Sequence, residues 1–593
     1  MNNPKELLTR FWSSMLLLLW AMAWFAFFQG WYHYHFFYQE QNQLFLNSWS
    51  YLITYFDKPA WLACMLGDWL TQFYYYLYAG PSILCATLFI LGIICRQALR
   101  TAGIQKQWIA TAFAMAVMTT EAVFSLHYDY RLSSLLAVIG GATAFWLSTL
   151  FVRRINKHSQ WLSAIMIFLT TALTFWLFGS GIWMYSLLII TGWLIHIKEA
   201  NNYLHLGILA ITLFLISLGK RVYFLPFDSL YSYPGIGKLI MPQMNLEKTF
   251  SADDEYYFGN YGKLTKMVEA DPEPNQYMKF YYNLVMAQQG KLPDKLLAFS
   301  NNYLGTFENV GPDTPTLTIK TINELYWILG DMTFAERAAI LGTVNSPNNR
   351  NIRMTKRLAE INIVSGEWNA ARKYLRILQK TFVWRTWAEN LMKALDHPEG
   401  EHQGLLKTYQ EKANLSNLTD TIRLSDNTYT IMQELLESNC ENHIALDYLL
   451  CSDLLLKDMD TFKRDYDRFC YRMEIPPYQT KLYQEALMIY LAGTHASQTE
   501  WMKYIHANRP AKSPGVLENP PQPNKFYPIS TQGDYTPQKS SGNMSSSSSK
   551  SMVSSSDTST HSMFSFPLIA HEYISAAARE ENTSCIGSPF SNQ

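Results

Sequence analysis

The sequence lacks every signature strong enough to name an activity. It has no CxxC motif, and beyond the first 225 residues it holds no nucleophile–base pair, no Gly-rich phosphate loop and no cluster at metal-ligand spacing. No metal is therefore expected, and the sequence names no cofactor. Charge is also scarce. Asp, Glu, Lys and Arg make up 16% of the 593 residues and cancel to a net charge of zero, against about 25% in ordinary soluble chains. That balance excludes the basic face a nucleic-acid partner requires. Acid is scarcest at the front, where the first 225 residues hold only seven of the 48 Asp and Glu. Seven cysteines are present. Cys64, Cys85 and Cys95 read as small packed hydrophobes, and Cys440, Cys451 and Cys470 lie 11 and 19 residues apart, which is not a zinc spacing.

What the front half does contain is apolar runs. Phe11 to Phe28 carries no charge and is long enough to span a hydrocarbon core. Further runs occupy about 73–95, 108–126, 132–152, 161–178, 182–197 and 203–219, giving seven expected spans. Basic residues cluster at Lys5/Arg10, Arg96/Arg100/Lys106, Arg153/Arg154/Lys157 and Lys198, while the alternate connections carry few. By the positive-inside rule the N-terminus is cytoplasmic and the seventh span runs outward. Lys220 and Arg221 oppose this locally, but the nine cations at consistent positions outweigh them. The expectation is a bacterial inner-membrane protein with a periplasmic C-terminal part.

The first outer connection, 31–72, is long. Its segments at about 43–56 and 60–70 suit helices lying in the interface plane. His33 and His35 sit among Trp31, Tyr32, Tyr34, Phe36 and Phe37, the composition of an interfacial aromatic belt. Glu121 lies inside the third span, where a carboxylate needs a partner or a cavity; His127 and Arg131 are its nearest candidates. Glu40, Asp57, Asp68 and Asp129 are the other outer acids. The candidate catalytic set is Glu40, Asp57, Glu121 and Arg131. A carboxylate there would deprotonate an acceptor hydroxyl, and an arginine would steady a leaving phosphate.

This layout resembles the membrane module of glycosyltransferases that use polyprenyl-phosphate-linked sugars. The resemblance implies an outer-face site built on acidic residues and a polyprenyl-phosphate sugar as substrate. The stretch "YFDKPAWLACMLGDWLTQFYYYLYAG" (55–80), through Phe56, Lys58, Pro59, Gln72, Phe73, Tyr74, Tyr75 and Gly80, is similar to an uncharacterised family of Bacteroidota-type membrane proteins. That resemblance implies a helical-repeat region behind the spans and says nothing of activity.

From about 245 to 507 the pattern is helical. The unit "RLAEINIVSGEWNAARKYLRIL" (357–378) places Leu358 and Ala359 before Gly366 and Ala371 and Leu375 after it. This is the arrangement of a tetratricopeptide helix pair, with small residues at the close contact and Gly at the turn. Weaker echoes centre on Gly262, Gly290 and Gly330. From 508 onward the Pro- and Ser-rich sequence cannot bury enough apolar surface to order itself.

The expected fold is all-α: a polytopic membrane domain (1–225), a tetratricopeptide-like helical solenoid (226–507) and a disordered tail (508–593). Helical-repeat surfaces bind peptides or proteins. The expected function is a membrane-anchored, extracytoplasmic scaffold for an envelope protein or peptide, with the bilayer as its other partner. The glycosyltransferase is the alternative.

Overall fold

A computed structural model describes residues 4–155, 160–195, 201–219, 223, 225, 227–235, 242–299, 314–398, 403–416, 427–470 and 480–494. Among them the chain is all-α, with no strand. The tail from 508 onward, and Lys220 and Arg221, lie outside the described residues.

Each of the seven apolar runs folds as a helix: α1 (Pro4–Trp31), α5 (Ala79–Ala102), α6 (Gln107–Phe124), α7 (Leu132–Ile155), α8 (Gln160–Phe178), α9 (Gly181–Ile195) and α10 (Asn201–Ser217). The segments Leu8–Trp31, Ala79–Ala102 and Leu132–Phe151 are long and apolar enough to cross a membrane; Ala164–Phe178, Gly181–Ile195 and Leu204–Ser217 are apolar but shorter. α5 starts six residues later than its apolar run predicts, because Gln72–Tyr75 forms a 3-10 turn and Pro81 belongs to the first helical turn, where its missing N–H costs nothing.

α5 is central, packing on α1, α6, α7 and α9 around Leu88, Leu91, Met118, Leu135 and Tyr185. Small residues let α7 and α9 touch: a Cβ on Gly141 would fall 1.9 Å from the carbonyl oxygen of Gly181. Close backbone approach of this kind replaces the hydrophobic drive that lipid removes. α1 stays on the outside with Leu8, Phe11, Trp12, Leu16 and Leu19 exposed. At one end of the bundle Ser13 Oγ accepts from Arg96 and Gln107, among the basic clusters. At the other end the connections gather: Tyr32 donates to the carbonyl of Leu126 at 2.6 Å, and the Ser180 amide to that of Tyr233 at 2.8 Å.

The first connection folds as short helices. Between α1 and α5 the chain forms α2 (Tyr34–Gln41), α3 (Trp49–Ile53) and α4 (Trp61–Thr71). Within α2, His35, Phe36, Phe37, Tyr38, Glu40 and Gln41 are all buried. One face meets the bundle: the Phe36 ring packs on Tyr74 and against Gly80, where a Cβ would stand 2.6 Å from the ring. The other face meets the later helices, with Phe37 against Phe258 and Tyr38 against Phe250. Of the expected aromatic belt Trp31 is 74% exposed and Tyr34 half-buried; Tyr32, Phe36 and Phe37 are core. The stretch 43–56 is helical only from Trp49, because residues 43–48 bond to distant backbone instead. The Ile352 amide donates to Gln43 and the Asn47 amide to Lys380. Residues on both sides of 225 thus belong to one compact unit, Met1–Glu474, with Ile475–Gln593 a second one. Of the latter the structure describes the helix Lys481–Gly493.

The later helices run as antiparallel pairs, among them Thr316–Leu329 with Met332–Val344 and Ile352–Val364 with Trp368–Gln379. Asn and Asp start them: Asp331, Asn351 and Asn442 each accept a backbone N–H of the first turn, which satisfies donors that a helix leaves unpaired. Gly366 makes the expected turn at φ 74°, with Ala359 and Ala371 fully buried at the contact. Gly262 does not: it lies inside the helix Tyr261–Ala270, and Gly259 at φ 72° makes the turn. No disulfide links Cys440, Cys451 and Cys470.

The join between α2 and the later helices is polar at its centre. Gln41 Oε1 accepts from Lys320 Nζ and from Arg353 Nη1, both at 2.9 Å and both fully or nearly fully buried. Gln41→Ala leaves two buried cations short of an acceptor. The expected cost is about 2 kcal/mol, read as a fall of a few degrees in Tm of the full-length protein in detergent. An unchanged Tm would show that the join carries no weight.

Candidate functional site

The helix Ile352–Val364 places Arg353, Lys356, Arg357 and Glu360 at i, i+3, i+4 and i+7, hence on one face. The helix Thr316–Leu329 contributes Glu324, Trp327 and Ile328, and Glu247–Tyr257 contributes Tyr256 and Tyr257. Together with Tyr261, Gln288, Lys412 and Ile444 they line a cavity of about 270 Å³.

Its floor is an ion network. Arg353 Nη1 donates to both Asp253 oxygens, at 2.7 and 2.9 Å, and its Nη2 to Glu324 at 2.9 Å. Arg357 Nη2 donates to both Glu324 oxygens at 2.8 Å, and its Nη1 reaches Glu360 at 3.1 Å. Burial opposes ionisation of Glu324, but Arg357 and Arg353 outweigh it and hold the carboxyl at about 2. Buried charges are tolerated only when paired and hydrogen-bonded in this way.

One cation escapes the pairing. Lys412 Nζ donates only to the carbonyl of Ile328, at 3.3 Å, and stands 5.2 Å from the Trp327 ring. No carboxylate of the described residues pairs with it. Burial, then the charge of Arg357, pushes it down to about 7. Aromatic faces surround the cations: the Arg357 guanidinium lies 4.3 Å from the Trp327 centroid and Lys356 Nζ 4.5 Å from that of Trp384. A water-accessible pocket with paired arginines, one lysine lacking a counter-ion and flat aromatic walls suits recognition of an anion on an otherwise apolar or planar group.

The residues singled out in the sequence have separate neighbours. Glu40 is buried in α2 near Lys320, beside a second cavity of about 10 Å³ shared with Gln72 and Thr381. Its Oε1 and that of Gln72 have no protein donor, and the space fits one water. Asp57 is exposed at the end of a short 3-10 turn. Glu121 is buried and accepts from the hydroxyl of Tyr130, rather than pairing with His127 or Arg131. Arg131 is half-exposed and interacts electrostatically with Asp68 and Asp129. His35 is fully buried, stacked on Tyr32 and Phe36, 3.7 Å from Glu247; burial holds it at about 3, so it is neutral.

Comparison with curated proteins and with solved structures finds no match. A family model described as a family of unknown function, DUF6057, matches residues 9–509. The chain belongs to this family. The match runs unbroken from α1 through the later helices, in accord with the single compact unit that joins them.

In this DUF6057 protein the cavity residues had one legible signal: the charged stripe at 353, 356, 357 and 360, on the helix already read as the first of a repeat pair. Trp327 and Lys412 carried none, since they meet only across the fold.

Glu40 has a consequence for stability. Burial pushes its carboxyl up from 4.5 to about 8. The unfolded chain then releases this proton at lower pH than the folded chain, so stability falls as pH rises from about 4.5 to about 8. Glu40→Gln removes the term. The variant should unfold at higher temperature than the parent at pH 8, by an amount worth at least about 1 kcal/mol, with the gap closing towards pH 5. A gap that is constant with pH would mean that Glu40 is ionised in the folded protein.

Proposed function

We propose that the protein is a seven-span membrane scaffold that holds a tetratricopeptide-like array outside the cytoplasm and captures an acidic group of an envelope protein or peptide in the cavity of that array. The orientation is supported by which connections the array touches. α2 binds it throughout, Tyr128 packs on Phe250, and the Gln243 amide bonds to the carbonyl of Leu126. The connections 31–72 and 125–131 thus share an end of the bundle with the array, and the basic residues Arg10, Arg96, Arg100 and Lys106 flank the opposite ends of the same helices. Cations mark the cytoplasmic side, so in a bacterium the array faces the periplasm. A reporter active only outside the cytoplasm, fused after residue 494, should be active; activity only from a cytosol-specific reporter would reverse the orientation.

The observation that carries the binding reading is Lys412, a cation in an open aromatic pocket without a carboxylate of its own. A carboxylate presented by a partner would complete the pairing that Glu324 and Glu360 complete for the arginines. The test is a photo-reactive residue in place of Trp327 in the full-length protein in intact cells. A defined adduct is expected, lost when Lys412→Gln is added and missing when the photo-reactive residue replaces the exposed Lys373. Adducts insensitive to Lys412→Gln would remove the cavity from the binding account.

A further inference from the structure

A second group of cations stands at the end of the bundle, away from the cavity. Lys58, Arg131 and Arg350 are each half-exposed, and no carboxylate of the described residues lies within ion-pair distance of any of them. Lys58 Nζ reaches the side chain of Asn348 at 3.4 Å and lies 5.8 Å from the centroid of the Tyr233 ring. Arg350 donates to the Tyr51 hydroxyl at 2.8 Å and to Thr54 Oγ1 at 3.3 Å. Among the described residues the Arg131 side chain makes no hydrogen bond. Burial disfavours the charge on Lys58, and Arg350 and Arg131 are close enough to add to that effect, against Asp57. No carboxylate of the described residues neutralises them at contact, so an anion that bridges all three is favoured.

The acids nearby act on these cations without contacting them: Asp57 favours the charge on Lys58, and Asp68 lies within electrostatic reach of Arg131 and Arg350. Asp68 is engaged by the Tyr55 hydroxyl at 2.7 Å, and Tyr55 in turn contacts Tyr51. Asp57 is exposed, and Asp129 is shared between His127 and Arg131. Two donors in the same neighbourhood are buried with no acceptor: Trp61 Nε1, three residues after Lys58, and Ser134 Oγ, three residues after Arg131.

The setting says what kind of molecule supplies the anion. Phe56 and Trp61 stack at 4.6 Å, and Trp61 meets Trp176 of α8 at 5.6 Å. Phe56, Ile53, Trp49 and Trp176 are exposed. Aromatic side chains at the ends of apolar helices sit at headgroup depth. Cations directly beside such a belt meet lipid phosphates before they meet solutes.

We infer that Lys58, Arg131 and Arg350 form a binding site for the phosphate of a membrane lipid, with its acyl chains along Phe56, Trp61 and Trp176. The inference rests on the membrane reading above, which the reporter tests separately; it uses neither the cavity nor its partner. Native mass spectrometry of the full-length protein, released from detergent after addition of phosphatidic acid, measures retained lipid. Wild type should retain phosphatidic acid and not diacylglycerol, which lacks the phosphate. Lys58→Gln and Arg131→Gln should each retain at least roughly tenfold less, the weight of about one charge-assisted hydrogen bond, at unchanged Tm. Arg131→Lys should retain most of it, which separates charge from folding, and Lys373→Gln should behave as wild type. Equal retention by wild type and the two glutamine variants, retention of diacylglycerol, or full displacement by inorganic phosphate at comparable concentration would each overturn the assignment, the last in favour of a free-phosphate site.

Discussion

The structure depends on one arrangement of buried charge. Arg353 binds Asp253, Glu324 and Gln41 at once, and Gln41 comes from the first connection of the membrane bundle. An arginine taken out of water needs several acceptors in fixed directions. Here the acceptors come from three segments, the farthest of them 312 residues from the arginine along the chain. Satisfying that one guanidinium therefore fixes α2 against the later helices, and with it the position of the whole array over the bundle. Lys320 repeats the constraint: it donates to Gln41 and lies 4.1 Å from the centroid of the Tyr38 ring.

The network also shapes what remains available. Glu324 and Glu360 neutralise the arginines on the cavity floor and so leave Lys412 as the charge that a ligand meets. Without the carboxylates the pocket would repel its own lining; with one more it would have no electrostatic preference for an anion. The second cationic group differs in kind. Lys58 and Arg350 are held by hydroxyls, an amide and aromatic faces, and Arg131 meets Asp68 and Asp129 only beyond contact, so their charge is not cancelled at contact. The two places suit anions of different origin: one faces the space within the array, and the other borders the aromatic ends of apolar helices.

Much of the helical content was legible. The apolar runs between Phe11 and Gly219 mark seven helices because a lipid- or core-facing helix must be apolar over most of its surface. The pair at 357–378 was legible through Gly366, since only a residue free of a Cβ adopts the left-handed turn without strain. The errors cluster where a segment is buried by partners distant in sequence. Phe36, Phe37 and Tyr38 have the composition of an interfacial belt, and composition alone does not separate a ring facing headgroups from a ring facing Phe250 or Tyr74. Residues 43–48 looked helical and are irregular because Ile352 and Lys380 take the backbone bonds of Gln43 and Asn47. Glu121 needed a partner, as its depth required, but the partner is the Tyr130 hydroxyl rather than a charged neighbour.

The sequence by itself determined the element types, the apolar character of the front half, the cation pattern of the alternate connections and the need of each buried acid for a partner. These follow from periodicity, length and the cost of burying charge, all local properties. Only the tertiary structure decided which groups meet: Gln41 with Arg353, Lys412 with Trp327, Lys58 with Tyr233. Hydrogen bonds and ion pairs act over a few ångströms and do not register distance along the chain. A site assembled from them therefore becomes visible when the helices have been packed.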